Sequence, residues 1–118
     1  MAVLEVHRDE LVVSLSPLER LAAVRRQVRV PLAALSSVEI DPAPWCAIRG
    51  VRIAGTGIPG VAAYGVRRMT GAAPDFAALH GRGPAVRIEL APGAQFARLL
   101  VTVPDPQATV AAIRAGTG

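Results

Sequence analysis

The amino-acid sequence predicts a mainly β fold of the α+β class, an antiparallel β-barrel or curled sheet of about seven strands capped by a C-terminal helix. Three observations support this prediction. Short segments of alternating apolar and polar residues recur, glycine and proline clusters separate them, and helical periodicity is confined to residues 17–26 and the C-terminus. A chain of 118 residues without a repeat is expected to form a single domain, residues 1–118.

The clearest strand lies near the C-terminus. Leu99, Val101 and Val103 recur at every second position and therefore point to one face, whereas Arg98 and Thr102 point to the other. This alternation is typical of a half-buried strand.

A helix is expected to follow this strand. Asp105 can accept hydrogen bonds from the first free helical amides, and Pro106 suits the first helical position, where no amide hydrogen is needed. We expect Val110 and Ile113 to dock the helix on the sheet and cover the apolar interior, because a helix this short is marginal alone in water. Gly116 is suited to end the helix in a left-handed conformation.

The rest of the chain contains further strand signals and one short helix signal. Ser16–Glu19 has the form of a capping box, which predicts a short helix near residues 17–26. Residues 50–60 are rich in glycine and are expected to form a long loop, while residues 45–49 fit no single element. The other expected strands cover residues 3–6, 11–15, 27–30, 36–41, 61–69, 74–79 and 86–90.

All 13 basic residues are arginine and nine residues are acidic, so the net charge is +4. Arginine without lysine is typical of a GC-rich genome and by itself says little about partners. The distribution of charge is more informative, because residues 42–74 contain no acid but carry Arg49, Arg52, Arg67 and Arg68. These four arginines beside a glycine-rich loop are a candidate anion-binding or partner-binding surface. The alternative is that each arginine faces water at a strand end.

The order of several short motifs resembles the bacterial pleckstrin-homology-like (PH-like) domains, especially small stand-alone members from actinobacteria. The motifs are S-P-L-E-R-L, V-R-V-P-L-A-A-L, S-S-V-E-I, G-T-G-I-P-G and L-V-T-V-P-D-P-Q-A-T-V-A-A-I. The resemblance covers nearly the whole chain and implies the capped β-barrel described above. In eukaryotic relatives a basic loop between the first two strands binds phosphoinositide headgroups. The resemblance places Arg20, Arg25, Arg26 and Arg29 in a comparable region, with an exposed helix face as the alternative.

Signals for catalysis or cofactors are weak, so we expect no enzyme activity, no cofactor and no metal. Residues 55–60 match G-x-G-x-x-G, but no strand–helix unit surrounds them. His7 and His80 lack metal ligands at suitable spacing, and the single cysteine, Cys46, is expected to be buried or half-buried. Aromatic residues make up only 3% of the chain, so no specific nucleic-acid binding is expected.

These observations together predict a cytoplasmic, non-enzymatic PH-like interaction module that binds another protein or self-associates. The alternative is a module that binds anionic lipid headgroups at a membrane surface. No signal peptide or membrane-spanning segment is expected from the sequence.

Overall fold

The computed structural model describes residues 2–16, 27–49, 51–58, 61–68, 71 and 73–117, and for Gln27 and residues 51–56 it describes the backbone alone. Within these residues the strands are β1 (Val3–His7), β2 (Glu10–Ser14), β3 (Gln27–Pro31), β4 (Leu35–Asp41), β5 (Val51–Ile58), β6 (Ala62–Arg68), β7 (Asp75–His80), β8 (Ala85–Leu90) and β9 (Arg98–Val101). The helical segments are a 3-10 turn (Leu32–Ala34), α1 (Pro44–Ala47) and α2 (Pro106–Thr117).

The described strands form two sheets. The first is an antiparallel sheet in the order β1-β2-β3, and the second has the order β4-β8-β9-β7-β6-β5. The mainly β class with a C-terminal helix is confirmed. The expected barrel is not closed, however, because β4 and β5 end the six-stranded sheet at opposite edges. The expectation of about seven, wholly antiparallel strands is also wrong, since nine are described and β7 runs parallel to β9. The parallel pair follows from the strand order, because β9 lies between β7 and β8, which run in opposite directions. It can therefore be antiparallel to only one of them.

One apolar core joins both sheets and α2. Val38, Ile88, Leu99 and Phe76 follow one another across the six-stranded sheet in the pairing register, and all are buried. Burial of such aliphatic and aromatic side chains is the main favourable term in folding. From the first sheet, the same core contains Leu4, Leu11, Val13, Val28 and Val30.

Strand β9 is buried on both faces rather than half-buried as expected. Leu99 and Val101 belong to the main core, but Leu100 belongs to a second buried cluster on the other face. The position of β9 inside the sheet explains why both of its faces are buried. It has neighbouring strands on both sides, and the segment around α1 covers its second face.

The start of α2 confirms the sequence-based prediction. The backbone amide of Ala108 donates to Asp105 Oδ1 at 3.1 Å, and Val110 and Ile113 are buried. Gly116 does not end the helix, which continues to Thr117. A Cβ at residue 116 would lie 3.1 Å from Val6 Cγ1, so glycine permits a close approach of α2 to β1.

Helix α2 bridges the two sheets. It packs against β1 of the first sheet and against β4 and β8 of the second, as well as the 3-10 turn. The sequence predicts that this helix packs on one sheet, whereas in the structure it packs on both. Two apolar surfaces therefore stabilise the short helix.

The expectation of a loop over residues 50–60 is wrong for residues 51–58, which form β5 and pair antiparallel with β6. Gly55 lies opposite Gly65, whose φ of 125° is a conformation that glycine adopts readily. Because glycine occupies positions where β-branched residues normally signal a strand, the sequence pattern concealed this hairpin. Residues 45–49, left unassigned, include the end of α1, and the helix predicted near residues 17–26 lies outside the described residues.

Candidate functional site

Residues 42–49, the crossing segment, run over one face of the six-stranded sheet. They lead from β4 to β5 at its opposite edges, a path of about 24 Å at about 4.8 Å per strand interval. The chain from Asp41 to Val51 reaches at most about 36 Å when fully extended. Four of these residues form α1, where the rise is only about 1.5 Å per residue, so the reach falls to about 28 Å and the segment has little slack. The face that it covers is called the outer face.

Side-chain contacts hold the crossing segment on the outer face. Trp45, Ala47 and Ile48 pack on the second buried cluster of the sheet. Trp45 Nε1 donates to the Gly81 carbonyl at 2.8 Å, and Arg98 Nη1 donates to the Ala47 carbonyl at 3.2 Å. The path of the segment is thus set by burial and by two directional hydrogen bonds.

A row of charged positions crosses the sheet beside this segment. In the pairing register, Glu89 is opposite Arg98, Arg98 opposite Asp75, Asp75 opposite Arg67, and Arg67 opposite Arg52. Arg98 Nε donates to both carboxylate oxygens of Glu89, at 2.9 and 3.2 Å. The alternation of sign stops at Arg67 and Arg52, so the row becomes positive towards β5.

Arg49 and Asp75 form a bidentate ion pair where the crossing segment approaches β5. Arg49 Nε and Nη2 donate to Asp75 Oδ2 and Oδ1 at 2.7 and 3.1 Å. The Asp75 side chain is only 3% exposed, whereas that of Arg49 is 40% exposed. The planar guanidinium group of arginine suits two hydrogen bonds to one carboxylate better than an ammonium group does. The sequence-based alternative that every arginine here simply faces water is therefore wrong for Arg49.

The pKa of the Arg49 guanidinium is raised above its ordinary value, chiefly by the hydrogen bond to Asp75, and burial opposes this effect. A raised folded-state pKa means that the contribution of this group to stability is complete below the pKa of an unfolded arginine. It is lost only as the pH rises through the still higher folded value. Arg49 therefore stays charged throughout the ordinary working range of pH.

The other three arginines of the candidate surface lie at the same end of the β5–β6 hairpin. Arg67 Nε donates to the Arg49 carbonyl at 3.0 Å, and Arg52 is opposite Arg67 in the register. Arg68 is exposed and, as the neighbour of Arg67 in a strand, points to the other face. We call the end of the hairpin that carries Arg49, Arg52, Arg67 and Arg68 the arginine end.

The second group of arginines is only partly described. Arg20, Arg25 and Arg26 lie outside the described residues. Arg29 lies in β3, and its Nη1 atom is 3.6 Å from Glu10 Oε1, with both side chains about half exposed. An exposed pair of this kind contributes little to stability.

The two edges of the six-stranded sheet differ. Edge strand β4 contacts α2, and Arg114 Nη2 donates to the Val38 carbonyl of β4 at 2.7 Å. Edge strand β5 pairs with β6, and no other described strand pairs with it. Helix α2 therefore covers part of the β4 edge. The arginine end lies at the opposite edge of the sheet.

The opposite end of the β5–β6 hairpin is apolar. Ile58 and Val61 flank its turn and are 52% and 54% exposed. The Val61 amide donates to the Ile58 carbonyl at 2.9 Å, and the Gly81 amide donates to the Val61 carbonyl at 2.8 Å. The β7–β8 turn thus supports this apolar tip, which we define as Ile58 and Val61.

The described residues contain no group of three or more His, Cys, Asp or Glu side chains placed to hold a metal ion. Cys46 is exposed, which corrects the expectation that it is buried or half-buried. It lies on α1, whose Trp45 and Ala47 face the sheet instead. Gly55 and Gly57 of the G-x-G-x-x-G match lie inside β5 rather than at a junction between a strand and a helix.

A groove of about 490 Å³ lies between β3 and the turn after β8. Its lining combines small apolar residues with Arg29 and Gln95.

In the described part of the chain, no helix is both long enough and apolar enough to cross a bilayer.

Comparison with known proteins gives no relative on which a family assignment could rest. No family model, curated protein or solved structure matches the chain.

Sequence reasoning missed three residues of the charged row, Asp75, Glu89 and Arg98. One signal was available, because Asp75 is the first acid after a long basic segment. The pairing of Arg49 with Asp75 depends on the path of the crossing segment, however, and a single sequence does not encode that path in any local pattern.

Proposed function

We propose that the chain is a non-enzymatic interaction module of the PH-like type that binds another protein. The observation that carries this proposal is the contrast between the two edges of the six-stranded sheet. Helix α2 covers part of the β4 edge, whereas at the other edge β6 is the one described strand that pairs with β5. An edge strand presents backbone donors and acceptors that can pair with another chain, and proteins usually cover, shorten or charge such edges.

The composition of β5 contains few of the residues that usually block pairing at a sheet edge, although its register with β6 shifts between Arg52 and Ala54. With eight residues it is the longest of the described strands, and it contains no proline and a single charged residue, Arg52. The PH-like prediction agrees with a mainly β architecture of two sheets around a shared core with a C-terminal helix. The parallel pairing of β7 and β9 departs from the wholly antiparallel arrangement that the resemblance implies.

Cross-linking can test where a partner binds, because the chain contains no lysine. A single Arg68→Lys variant places one side-chain amine at the arginine end and keeps the charge. With an amine-reactive cross-linker in an extract of cells that express the chain, we expect Arg68→Lys to form a discrete adduct with a second protein. Mass spectrometry identifies the adduct.

The matched control is Arg8→Lys, which places the amine on the exposed turn between β1 and β2. Adducts from the N-terminal amine occur in both variants and in the parent chain, so they cancel in the comparison. Equal adducts from both variants, or none from either, would contradict binding at the β5–β6 end.

An anionic membrane surface is the second candidate, and the apolar tip favours it. Ile58 and Val61 are exposed aliphatic side chains that a lipid interface would bury, while arginines attract anionic headgroups. Arg82, also exposed, lies in the turn beside the tip. The cytoplasmic location predicted from the sequence would place such a surface at an inner leaflet.

Co-sedimentation with phosphatidylcholine vesicles, with and without phosphatidylserine, tests this candidate. If the tip inserts, changing both Ile58 and Val61 to serine should weaken binding to the anionic vesicles roughly 30-fold, from about 2 kcal/mol of lost apolar burial. Val3→Ser is the control, because Val3 is 42% exposed on β1, away from the tip. An equal effect of both changes would exclude insertion of the tip.

A further inference from the structure

We infer that a pocket between the start of β4 and the last turn of α2 binds a phosphate group, as the free anion or as a phosphate monoester. The inference goes beyond the proposed function, because this β4–α2 pocket lies at the edge of the six-stranded sheet opposite the arginine end. Its volume of about 210 Å³ suits a small anion, since sites for larger ligands usually measure about 300 to 1,000 Å³. The pocket is lined by Leu35, Ser36, Ser37, Val38, Arg114 and Thr117.

Arg114 supplies the positive charge of the pocket in a fixed position. It lies in the last turn of α2, and its Nη2 atom donates to the Val38 carbonyl of β4 at 2.7 Å. This bond uses one of the five N–H donors of the guanidinium group, and the exposed position of Arg114 lets a ligand reach the others. An anchored guanidinium group can bind two oxygens of one anion and loses little side-chain entropy when it does so.

The backbone of β4 adds a second donor. The Leu90 amide of β8 donates to the Ala97 carbonyl, on the β9 side of β8. Because the direction of these groups alternates along a strand, Ile88 also faces β9, and Val38, which lies opposite Ile88, turns its N–H and C=O to the free side of β4. The hydrogen bond from Arg114 to the Val38 carbonyl agrees with this direction. The Val38 amide therefore points to the same edge as the guanidinium group.

A β-bulge places Ser36 at the pocket. Leu35 pairs with Leu90 and Ser37 pairs with Glu89, so Ser36 is an extra residue in β4. A bulge bends its strand and re-aims a side chain, and bulges are frequent next to active sites. Ser36 is exposed, and its hydroxyl group can donate to an anion.

The charges around the pocket favour an anion. Arg114 is the one charged residue of the lining, all of which belongs to the described part of the chain. The neighbouring acid on β4, Glu39, pairs with Arg87 at 3.0 Å. Thr117 Oγ1 donates to the Arg114 carbonyl at 3.1 Å, which satisfies a carbonyl at the end of α2 and lowers the repulsion that this helix end exerts on an anion.

The number of donors indicates phosphate rather than carboxylate. The guanidinium group, the Val38 amide and the Ser36 hydroxyl come from α2, the edge of β4 and its bulge. A carboxylate has two oxygens, and a guanidinium group alone can bind both. A phosphate group has further acceptor oxygens for the amide and the hydroxyl.

Nuclear magnetic resonance titration of the intact chain with sodium phosphate tests the inference, with chloride added to keep the ionic strength constant. We expect saturable shifts of the Val38 amide and Arg114 Nε–H signals, and no shift of the Arg82 Nε–H signal on the β7–β8 turn. Acetate should compete at least tenfold more weakly than phosphate. A lack of saturation at Val38 and Arg114, or equal competition by acetate, would overturn the inference.

Arginine variants locate the contact. Arg114→Gln should weaken phosphate binding at least tenfold, and Arg114→Lys should recover part of the affinity, because lysine keeps the charge without the planar group. Arg68→Gln is the matched control, since Arg68 is exposed but lies towards the opposite edge of the sheet, and it should leave binding unchanged. Equal weakening by Arg114→Gln and Arg68→Gln would contradict this location, because it would show attraction to net charge alone.

Ser36→Ala tests the pocket without changing α2 or the net charge, and so does not depend on whether an Arg114 variant folds. It should weaken phosphate binding about tenfold, the effect expected for one hydrogen bond to a charged group. Ser14→Ala on β2 is the control and should have no effect, since Ser14 Oγ donates to Glu5 in the first sheet. Equal affinities of the Ser36→Ala and Ser14→Ala variants would overturn the pocket as the site.

A second titration, with N-acetyl-O-phosphoserine amide, distinguishes the two sources of the phosphate group. Binding of this monoester at least as tight as that of phosphate supports the pocket and assigns it to a phosphorylated molecule. Saturation by phosphate alone supports the pocket and assigns it to the free anion. Cross-linking of Arg68→Lys reports on the other edge of the sheet, so a failure of phosphate binding leaves the proposed function standing.

Discussion

Replacing Arg49 by methionine is expected to lower the free energy of unfolding by about 1 to 3 kcal/mol, because the change leaves a buried carboxylate without its partner, although Arg49 itself is partly exposed to solvent. Asp75 is 3% exposed and accepts two hydrogen bonds from Arg49. The loss should be greater than for a fully exposed arginine, where the whole effect is about 1 kcal/mol or less. Arg68→Met is the control, since Arg68 is exposed at the same end of the hairpin.

Urea denaturation measures this effect, with circular dichroism for the sheets and the fluorescence of Trp45 for the crossing segment. Trp45 is the only tryptophan, so its signal is unambiguous. A double variant with Arg49→Met and Asp75→Asn should recover part of the loss, because the uncompensated charge is gone. Equal stability of Arg49→Met and Arg68→Met would show that the ion pair does not stabilise the fold.

This expectation changes how the arginine end should be tested. Replacing all four arginines by glutamine would be expected to preserve the melting temperature if each of the four were an exposed surface charge. The structure makes Arg49 a partner of a buried group, so a loss of binding in that quadruple variant could arise from unfolding. Arg52 and Arg68 are the better positions for binding studies.

The Ile113→Ala variant is expected to lose about 2 to 4 kcal/mol of stability, as removal of a buried aliphatic side chain usually does. Ile113 is 1% exposed and belongs to the core that joins both sheets. For a chain of this size the melting temperature should fall by about 8 to 15 °C. The cost should approach the upper value if the two sheets cannot close around the vacated space.

Gln107→Ala is the matched control for this second prediction, because Gln107 is exposed on the same helix and alanine is a good helix former. Calorimetry should show little change for it. A melting temperature that is the same for Ile113→Ala and the parent chain would contradict the docking of α2 on the core.

Local patterns determined several elements of this protein. The alternation of Leu99, Val101 and Val103 predicts the strand that becomes β9, and Asp105 with Pro106 predicts the start of α2 within a residue. These predictions hold because side-chain period and the end of a helix depend on neighbours in sequence. The mainly β class followed from the same kind of signal.

Predictions that required long-range pairing were less accurate. The sequence predicts a loop where β5 forms, because Gly55 and Gly57 weaken the strand pattern, and only pairing with β6 makes the segment a strand. The separation into two sheets and the burial of both faces of β9 were also not predicted. Each depends on which strands become neighbours in space.

The candidate site shows the same division. The sequence alone determined that residues 42–74 carry four arginines and no acid, since charge is a property of composition. Only the tertiary structure decided that Arg49 pairs with Asp75, that Arg67 lies opposite Arg52 and that Arg68 points to the other face. The physical reason is that ion pairs and sheet edges are set by distances of a few ångströms between residues far apart in the chain. Those distances exist only after β4 and β5 have taken opposite edges and the crossing segment has packed over the sheet between them.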